Sequence, residues 1–149
     1  METALSFDDV LLVPQYSEIQ SRQKVDVGND LDDILHFSLP VISSPMDTIT
    51  GPEMALAMDE ASGFGVLHRY NSIEEQVGMA RKIFSTRPDA KVAAAVGVTG
   101  DYLERSMALC EVGVPILCLD VAHGHHYLMK GALEKLRNTF GTSVHIMAG

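Results

Sequence analysis

Five short apolar runs punctuate the chain, beginning at Val41 (VISS), Phe64 (FGVLH), Val92 (VAAAVGV), Ile116 (ILCLD) and Val144 (VHIMAG). None alternates apolar with polar positions, which is the pattern of strands buried on both faces. Four segments of helical period lie between them. Thr50-Gly51-Pro52-Glu53 has the form of a capping box, with Thr50 at the N-cap, Glu53 at N3 and Pro in the first turn. Met54, Ala57, Met58 and Ala61 then predict one apolar stripe, and Gly63 suits the helix stop. Ser72-Ile73-Glu74-Glu75 repeats the box, followed by Val77, Ala80 and Phe84. Leu103, Met107 and Cys110 predict a third stripe; Met129, Ala132, Leu133, Leu136 and Phe140 a fourth. Residues 1–38 read as an irregular segment, with Val10-Leu11-Leu12-Val13 broken by Pro14 and a polar stretch through Ser21-Arg22-Gln23-Lys24.

Strand and helix alternate from residue 39 to 149, which predicts an α/β fold with a parallel sheet. The strand starts recur about every 26 residues, near the pitch of a (β/α)8 TIM barrel, which needs roughly 200–250 residues for eight units. A five-stranded doubly wound, flavodoxin-like sheet fits the length better, but it normally closes with a helix after the fifth strand. Here Met147-Ala148-Gly149 follow that strand. The expectation is therefore the N-terminal half of a barrel, to strand five, behind the segment 1–38. No internal repeat or low-complexity stretch offers another reading.

Composition narrows the class. With 46% hydrophobic residues among 149, the chain has enough apolar material for one globular core, and disorder is excluded. Two cysteines exclude a disulfide scaffold, no apolar run reaches the length of a membrane span, and METALSFDDV lacks the basic and apolar regions of a secretory signal. A reducing, cytoplasmic setting without a membrane partner is expected. The net charge of −9 argues against nucleic acid as a partner, since an acidic chain repels phosphate backbones. It leaves room for a single nucleotide held by backbone N–H groups and one or two arginines.

In either α/β architecture a ligand sits at the C-terminal ends of the strands. Those ends carry Ser43-Ser44-Pro45-Met46-Asp47-Thr48, His68-Arg69-Tyr70, Gly97-Val98-Thr99 and Asp120-Val121-Ala122-His123-Gly124-His125-His126. Polar and glycine-bearing sets directly after apolar runs suit a small-molecule site. Asp120 with three histidines raises zinc, yet His125 and His126 are adjacent and point apart, so hydrogen-bonded or solvated loop histidines are the expected reading and no metal is assigned. Asp120 either binds a ligand hydroxyl or caps the next helix, and both readings stand. Cys110 falls in a helical stripe and Cys118 mid-strand, so both read as core residues rather than nucleophiles. No G-x-S-x-G elbow, Walker loop or G-x-G-x-x-G is present.

At these same residues the chain resembles the IMP dehydrogenase / GMP reductase family, cytosolic purine-nucleotide oxidoreductases on a (β/α)8 barrel. Phe7-Asp8-Asp9-Val10-Leu11-Leu12-Val13-Pro14, Ser43-Ser44-Pro45-Met46-Asp47-Thr48, Gly65-Val66-Leu67-His68, Ser72-Ile73-Glu74-Glu75-Gln76, Ala95-Val96-Gly97-Val98, Asp120-Val121-Ala122-His123-Gly124-His125 and Met147-Ala148-Gly149 run in family order over essentially the whole chain. The resemblance implies that Ser44 and Met46 contact the purine nucleotide, Ser44 by hydrogen bonding and Met46 by packing on the base. It implies that Asp120, Val121 and Ala122 meet the nicotinamide cofactor. It also implies a homotetramer at full length, and a monovalent cation in the full-length enzyme at a site outside this chain.

Two branches share these motifs. IMP dehydrogenases, which oxidise IMP with NAD, usually carry a pair of CBS modules between the second helix and third strand. Only Ser85-Thr86-Arg87-Pro88-Asp89-Ala90-Lys91 fills that place here. GMP reductases lack the insertion and carry a Ser-Arg pair near the start and a basic residue after the second-strand His, both associated with NADPH. Ser21-Arg22 and Arg69 match these, and paired guanidinium forks suit a 2′-phosphate. Ser43-Ser44-Pro45-Met46, however, is the dehydrogenase wording. The reading leans to GMP reductase, with IMP dehydrogenase as the alternative. The family's nucleophilic cysteine follows the sixth strand, so no catalytic residue is assigned within 1–149. The chain alone is expected not to catalyse the family reaction. A non-catalytic half-barrel that binds a nucleotide or a partner through its open strand edge remains a further alternative.

Overall fold

The computed structural model describes residues 2–33 and 35–149; Met1 and Ile34, inside the segment 1–38, lie outside the described residues. Two 3-10 turns, Phe7–Asp9 and Arg22–Lys24, occupy an N-terminal arm, followed by a two-stranded antiparallel hairpin of β1 (Asn29–Asp30) and β2 (His36–Phe37). A five-stranded sheet then forms from β3 (Ile42–Ser43), β4 (Phe64–Leu67), β5 (Val92–Val96), β6 (Ile116–Leu119) and β7 (His145–Ala148). Helices α1 (Pro52–Glu60), α2 (Ile73–Thr86), α3 (Tyr102–Glu111) and α4 (Tyr127–Phe140) connect successive strands. All four strand pairs are parallel, and the spatial order β3-β4-β5-β6-β7 is the order of the chain. The fold is thus α/β with a parallel five-stranded sheet, as the alternation predicts.

The two faces of the sheet bury different partners. Leu67, Ala94, Leu117 and Ile146 lie side by side in register, and with Val92, Val96 and Leu119 they pack under the helices against Val77, Ile83, Leu109 and Leu136. The opposite face presents Phe64, Val66, Ala93, Ala95, Ile116 and Cys118. The hairpin covers it: Phe37 is buried with its ring 4.5 Å from that of Phe64, and Leu31 and Leu35 pack beside it. His145 Nδ1 lies 2.9 Å from Asp32 Oδ2, and Lys91 Nζ donates to His36 O at 2.6 Å. The predicted irregularity of residues 1–38 therefore stops short of residue 29, because the tail of that segment is needed to close a face of the core.

The arm is a separate matter. Phe7, Leu11 and Leu12 are each at least 95% exposed, and Tyr16 is exposed as well. Its hydrogen bonds are local, such as Ser6 N to Asp9 Oδ2 at 2.9 Å and Lys24 Nζ to Gln20 Oε1 at 2.8 Å.

Two helices differ from expectation. Thr50 is not the N-cap of α1; Gly51 is, with Pro52 at the first position. Thr50 is fully buried, and its hydroxyl donates to Ser44 O at 2.6 Å while lying 2.9 Å from Ser43 Oγ. The buried face of α1 is centred on Ala55 rather than on Met54, Ala57, Met58 and Ala61, because the helix backbone approaches β4 at Gly65, where an added Cβ would lie 3.0 Å from Ala55 Cα. The helix closes in a Schellman motif: Ser62 takes the left-handed conformation (φ 67°), and Gly63 N donates to Met58 O at 2.9 Å. In α3 the buried positions are Arg105, Ser106 and Leu109, whereas Met107 is exposed and Leu103 and Cys110 are only partly covered. The Ser72 box forms as predicted, with Glu75 N donating to Ser72 Oγ at 3.1 Å and Ser72 N to Glu75 Oε2 at 2.8 Å.

Candidate nucleotide site at the strand ends

Period-2 alternation carries the inner face upward from Phe64, Ala93 and Ile116 to a polar upper rim. On that rim His68 continues β4, Gly97 continues β5, Asp120 continues β6 and Gly149 continues β7. Backbone bonds extend the ladder here, from Asp120 N to Val96 O and from Gly149 N to Leu119 O, each 2.9 Å. The predicted strand-end residues of β4, β5 and β6 are therefore brought together by the sheet itself.

Arg69 crosses this rim. Its Nη2 donates to Asp120 O at 3.0 Å, and its Nε lies 3.4 Å from Asp120 Oδ2, an ion pair without hydrogen-bond alignment. Gly97 lies under the bridge: a Cβ there would stand 3.6 Å from Arg69 Nη1, in ordinary contact, so only a longer side chain would displace the guanidinium. Arg69 also stands 5.6 Å above the Tyr70 ring. Both Arg69 and Asp120 retain about 30% side-chain exposure, so a ligand can still reach them. His68 is buried to 7% exposure, and its Nδ1 has no hydrogen-bond partner. A buried, unpaired ring nitrogen and an unaligned guanidinium N–H on one rim are groups that a polar ligand would satisfy.

The other predicted contacts are arranged less tightly. Ser44 and Met46 lie exposed in the turn after β3; Thr50 fixes Ser44 through its carbonyl, and Met46 N donates to the same oxygen at 2.8 Å. Val121 is half-buried and Ala122 exposed in the loop after β6. That loop rests on the end of β7, since a Cβ on Gly124 would come within 2.9 Å of Gly149 O. Asp120 does not cap α4; His126 does, its Nδ1 accepting from Leu128 N at 3.2 Å. Ser21 and Arg22 lie in the arm, where Ser21 Oγ accepts from Gln23 N. Among the described residues no hydrogen bond or ion pair joins them to Arg69 or Asp120. Nor do three His, Cys, Asp or Glu side chains converge as a metal site among the described residues.

The thiols are poorly suited to attack. Burial pushes Cys110 up to about 11, and burial followed by the Asp120 charge pushes Cys118 up to about 11.

A model of the IMP dehydrogenase / GMP reductase domain matches residues 4–149. The chain belongs to that family. Within it, the chain is 43% identical over 79 residues to a GMP reductase of Leishmania donovani, covering 53% of this chain and 16% of that protein. It is 39% identical over 109 residues to the inosine-5'-monophosphate dehydrogenase of Bacillus subtilis, covering 66% of this chain and 22% of that protein. The inosine-5'-monophosphate dehydrogenase of Cryptosporidium parvum aligns over 181 positions at 29% identity, covering 94% of this chain and 44% of that protein. The chain thus spans less than half the length of these relatives, and both branches of the IMP dehydrogenase / GMP reductase family stand among them. The predicted strand-end residues Arg69, Gly97 and Asp120 meet on the rim, whereas Thr50, Gln76 and Arg105, which brace the elements around it, carry no site role in the sequence reading. The signal for the last was a charged letter inside an amphipathic helix, which ordinarily marks a solvated face.

Proposed function

We propose that this chain forms the N-terminal part of the barrel of a GMP reductase, which reduces GMP to IMP with NADPH. The supporting observation is the bridge of Arg69 over Gly97 to Asp120 on the rim of a parallel sheet. In this reading Asp120 accepts a hydrogen bond from a ribose hydroxyl of the dinucleotide, and Val121 and Ala122 line the approach. Arg69 offers its remaining N–H groups to phosphate, together with Ser21 and Arg22 once the arm folds over the rim. Ser44, pinned by Thr50, hydrogen-bonds the purine nucleotide, and Met46 covers its base. The dinucleotide carries the hydride when bound. The short link from Thr86 to Val92 leaves no place for an inserted module between α2 and β5, which also favours the reductase.

In this reading neither Cys110 nor Cys118, both raised to about 11, serves as the nucleophile of the family reaction. One observation favours the dehydrogenase. A guanidinium already paired with a carboxylate is a weaker receptor for a 2′-phosphate, so Arg69 beside Asp120 also suits NAD.

The test compares GMP-dependent oxidation of NADPH with IMP-dependent reduction of NAD, using the protein purified from its source. In parallel, NADPH and NADH are titrated onto the 149-residue chain by nicotinamide fluorescence. The reductase reading expects GMP-dependent turnover and tighter NADPH binding, weakened by Arg69→Gln. IMP-dependent turnover with no preference for NADPH would overturn it in favour of the dehydrogenase.

A further inference from the structure

Arg105 is 6% exposed, and its guanidinium is shared among groups from three elements. Nη1 donates to Gln76 Oε1 of α2 at 2.9 Å and, at the long limit of 3.5 Å, to Ser72 O. Nη2 donates to Asn71 O at 3.0 Å and to Asp101 Oδ2 at 2.7 Å. Gln76, itself fully buried, passes the chain on by donating Nε2 to Ala95 O at 2.9 Å. The ladder between β4 and β5 ends at the pair Leu67 with Ala94, so no strand supplies a donor to Ala95 O on that side.

The anchored backbone is that of the site. Asn71 lies two residues beyond Arg69 in the loop from β4 to α2, and Asp101 ends the loop that begins at Gly97. Asn71 Oδ1 is itself buried without a partner and its Nδ2 reaches only Met79 Sδ, at 3.8 Å, so the backbone bond to Arg105 is the stronger tie on this loop. We infer that Arg105 is a positioning residue: by clamping the β4–α2 loop to the end of the loop that begins at Gly97 it sets the reach of Arg69 to Asp120, and with it the affinity for a nicotinamide dinucleotide. An Arg fork serves this purpose where a point charge would not, because one planar group must hold two acceptors on each terminal nitrogen.

The role in binding rests on the reading of the site given above, so the test carries two arms. In the first, NADPH is titrated onto the wild-type chain and onto Arg105→Met, Arg105→Lys and Leu109→Val. The last trims the buried face of the same helix without touching the clamp. In the second, hydrogen exchange of the Arg69 guanidinium, whose Nη2 donates to Asp120 O, is followed by nitrogen-15 NMR in the same four proteins without nucleotide. Arg105→Met is expected to weaken NADPH binding about tenfold, as loss of a charge-assisted hydrogen bond does, and to speed Arg69 exchange. Arg105→Lys should recover part of both, and Leu109→Val should change neither. Equal weakening by Arg105→Met and Leu109→Val would overturn the inference, as would unchanged Arg69 exchange in Arg105→Met. If the wild-type chain binds no NADPH, the reading of the site fails, and the exchange arm decides the clamp alone.

Discussion

Replacing Gln76 by Leu tests whether the core relies on this fully buried amide as the geometry requires. The substitution keeps size and removes both polar ends. Ala95 O loses its donor at 2.9 Å, in a fully buried strand, and an unsatisfied carbonyl there costs about 1–3 kcal/mol. Arg105 loses the acceptor at 2.9 Å, and a hydrogen bond to a charged group contributes about 1.5–3 kcal/mol. Arg105 keeps Asn71 O and Asp101, so its charge stays paired, and the expected loss is about 3–5 kcal/mol rather than that of an isolated buried ion. Urea unfolding followed by far-ultraviolet circular dichroism measures it, with the slope against denaturant checked for constancy. A cycle with Arg105→Met should show strong coupling, since the two residues share one bond. A loss below about 1 kcal/mol would refute the reasoning, for the amide would then be replaceable by any apolar group of its shape.

Three further outcomes follow from other sites. Gly63→Ala should destabilise by about 1–3 kcal/mol in the same assay, because its Cβ would stand 2.7 Å from Val41 O, a backbone atom that cannot step aside. The Ser72 backbone and side-chain hydrogen bonds hold the Glu75 carboxyl below its ordinary 4.5, so its contribution is present above that value and fades as pH falls through the lowered one. Glu75→Gln should flatten that part of the acid limb of stability, and an unchanged limb would speak against the capping box. With both thiols raised to about 11, iodoacetamide at pH 8 should label Cys110 and Cys118 far more slowly than free cysteine, as followed by intact mass.

The strands were legible because each is a compact apolar run, and the Ser72 helix because its box needs only neighbours in sequence. The start of α1 was not. Thr50 has the right neighbours for a cap, but Ser44 O, six residues earlier, takes its hydroxyl. The face of α1 follows from a contact with Gly65, which no periodicity in the helix itself reveals. Arg105 reads as a surface charge until Asn71, Gln76 and Asp101 are seen around it; two of them stand about thirty residues away. The pattern placed Asp120 and Arg69 at strand ends, but their joining depends on a register of β4, β5 and β6 that local pattern does not encode. Ser21 and Arg22 matched by motif, yet the hydrogen bond seen at Ser21 is local, to Gln23 N, and among the described residues none ties the pair to the rim.

The agreement between strand order in space and strand order along the chain has a consequence for how the protein is made. Every new strand finds its hydrogen-bonding neighbour in the one just completed, with a single helix intervening. Loop closure is then confined to one βα unit at a time, and its entropy grows slowly with length. A nascent chain leaving the ribosome can therefore add units to an existing edge without waiting for distant sequence. The hairpin is the exception. Phe37 is synthesised before any strand of the large sheet, yet the face it covers is complete only when Ile116 and Cys118 arrive. Until then its ring has only the β4 and β5 part of that face, Phe64, Val66, Ala93 and Ala95, to pack on, which marks the interval before β6 as the stage of synthesis most open to misassociation and to chaperone capture.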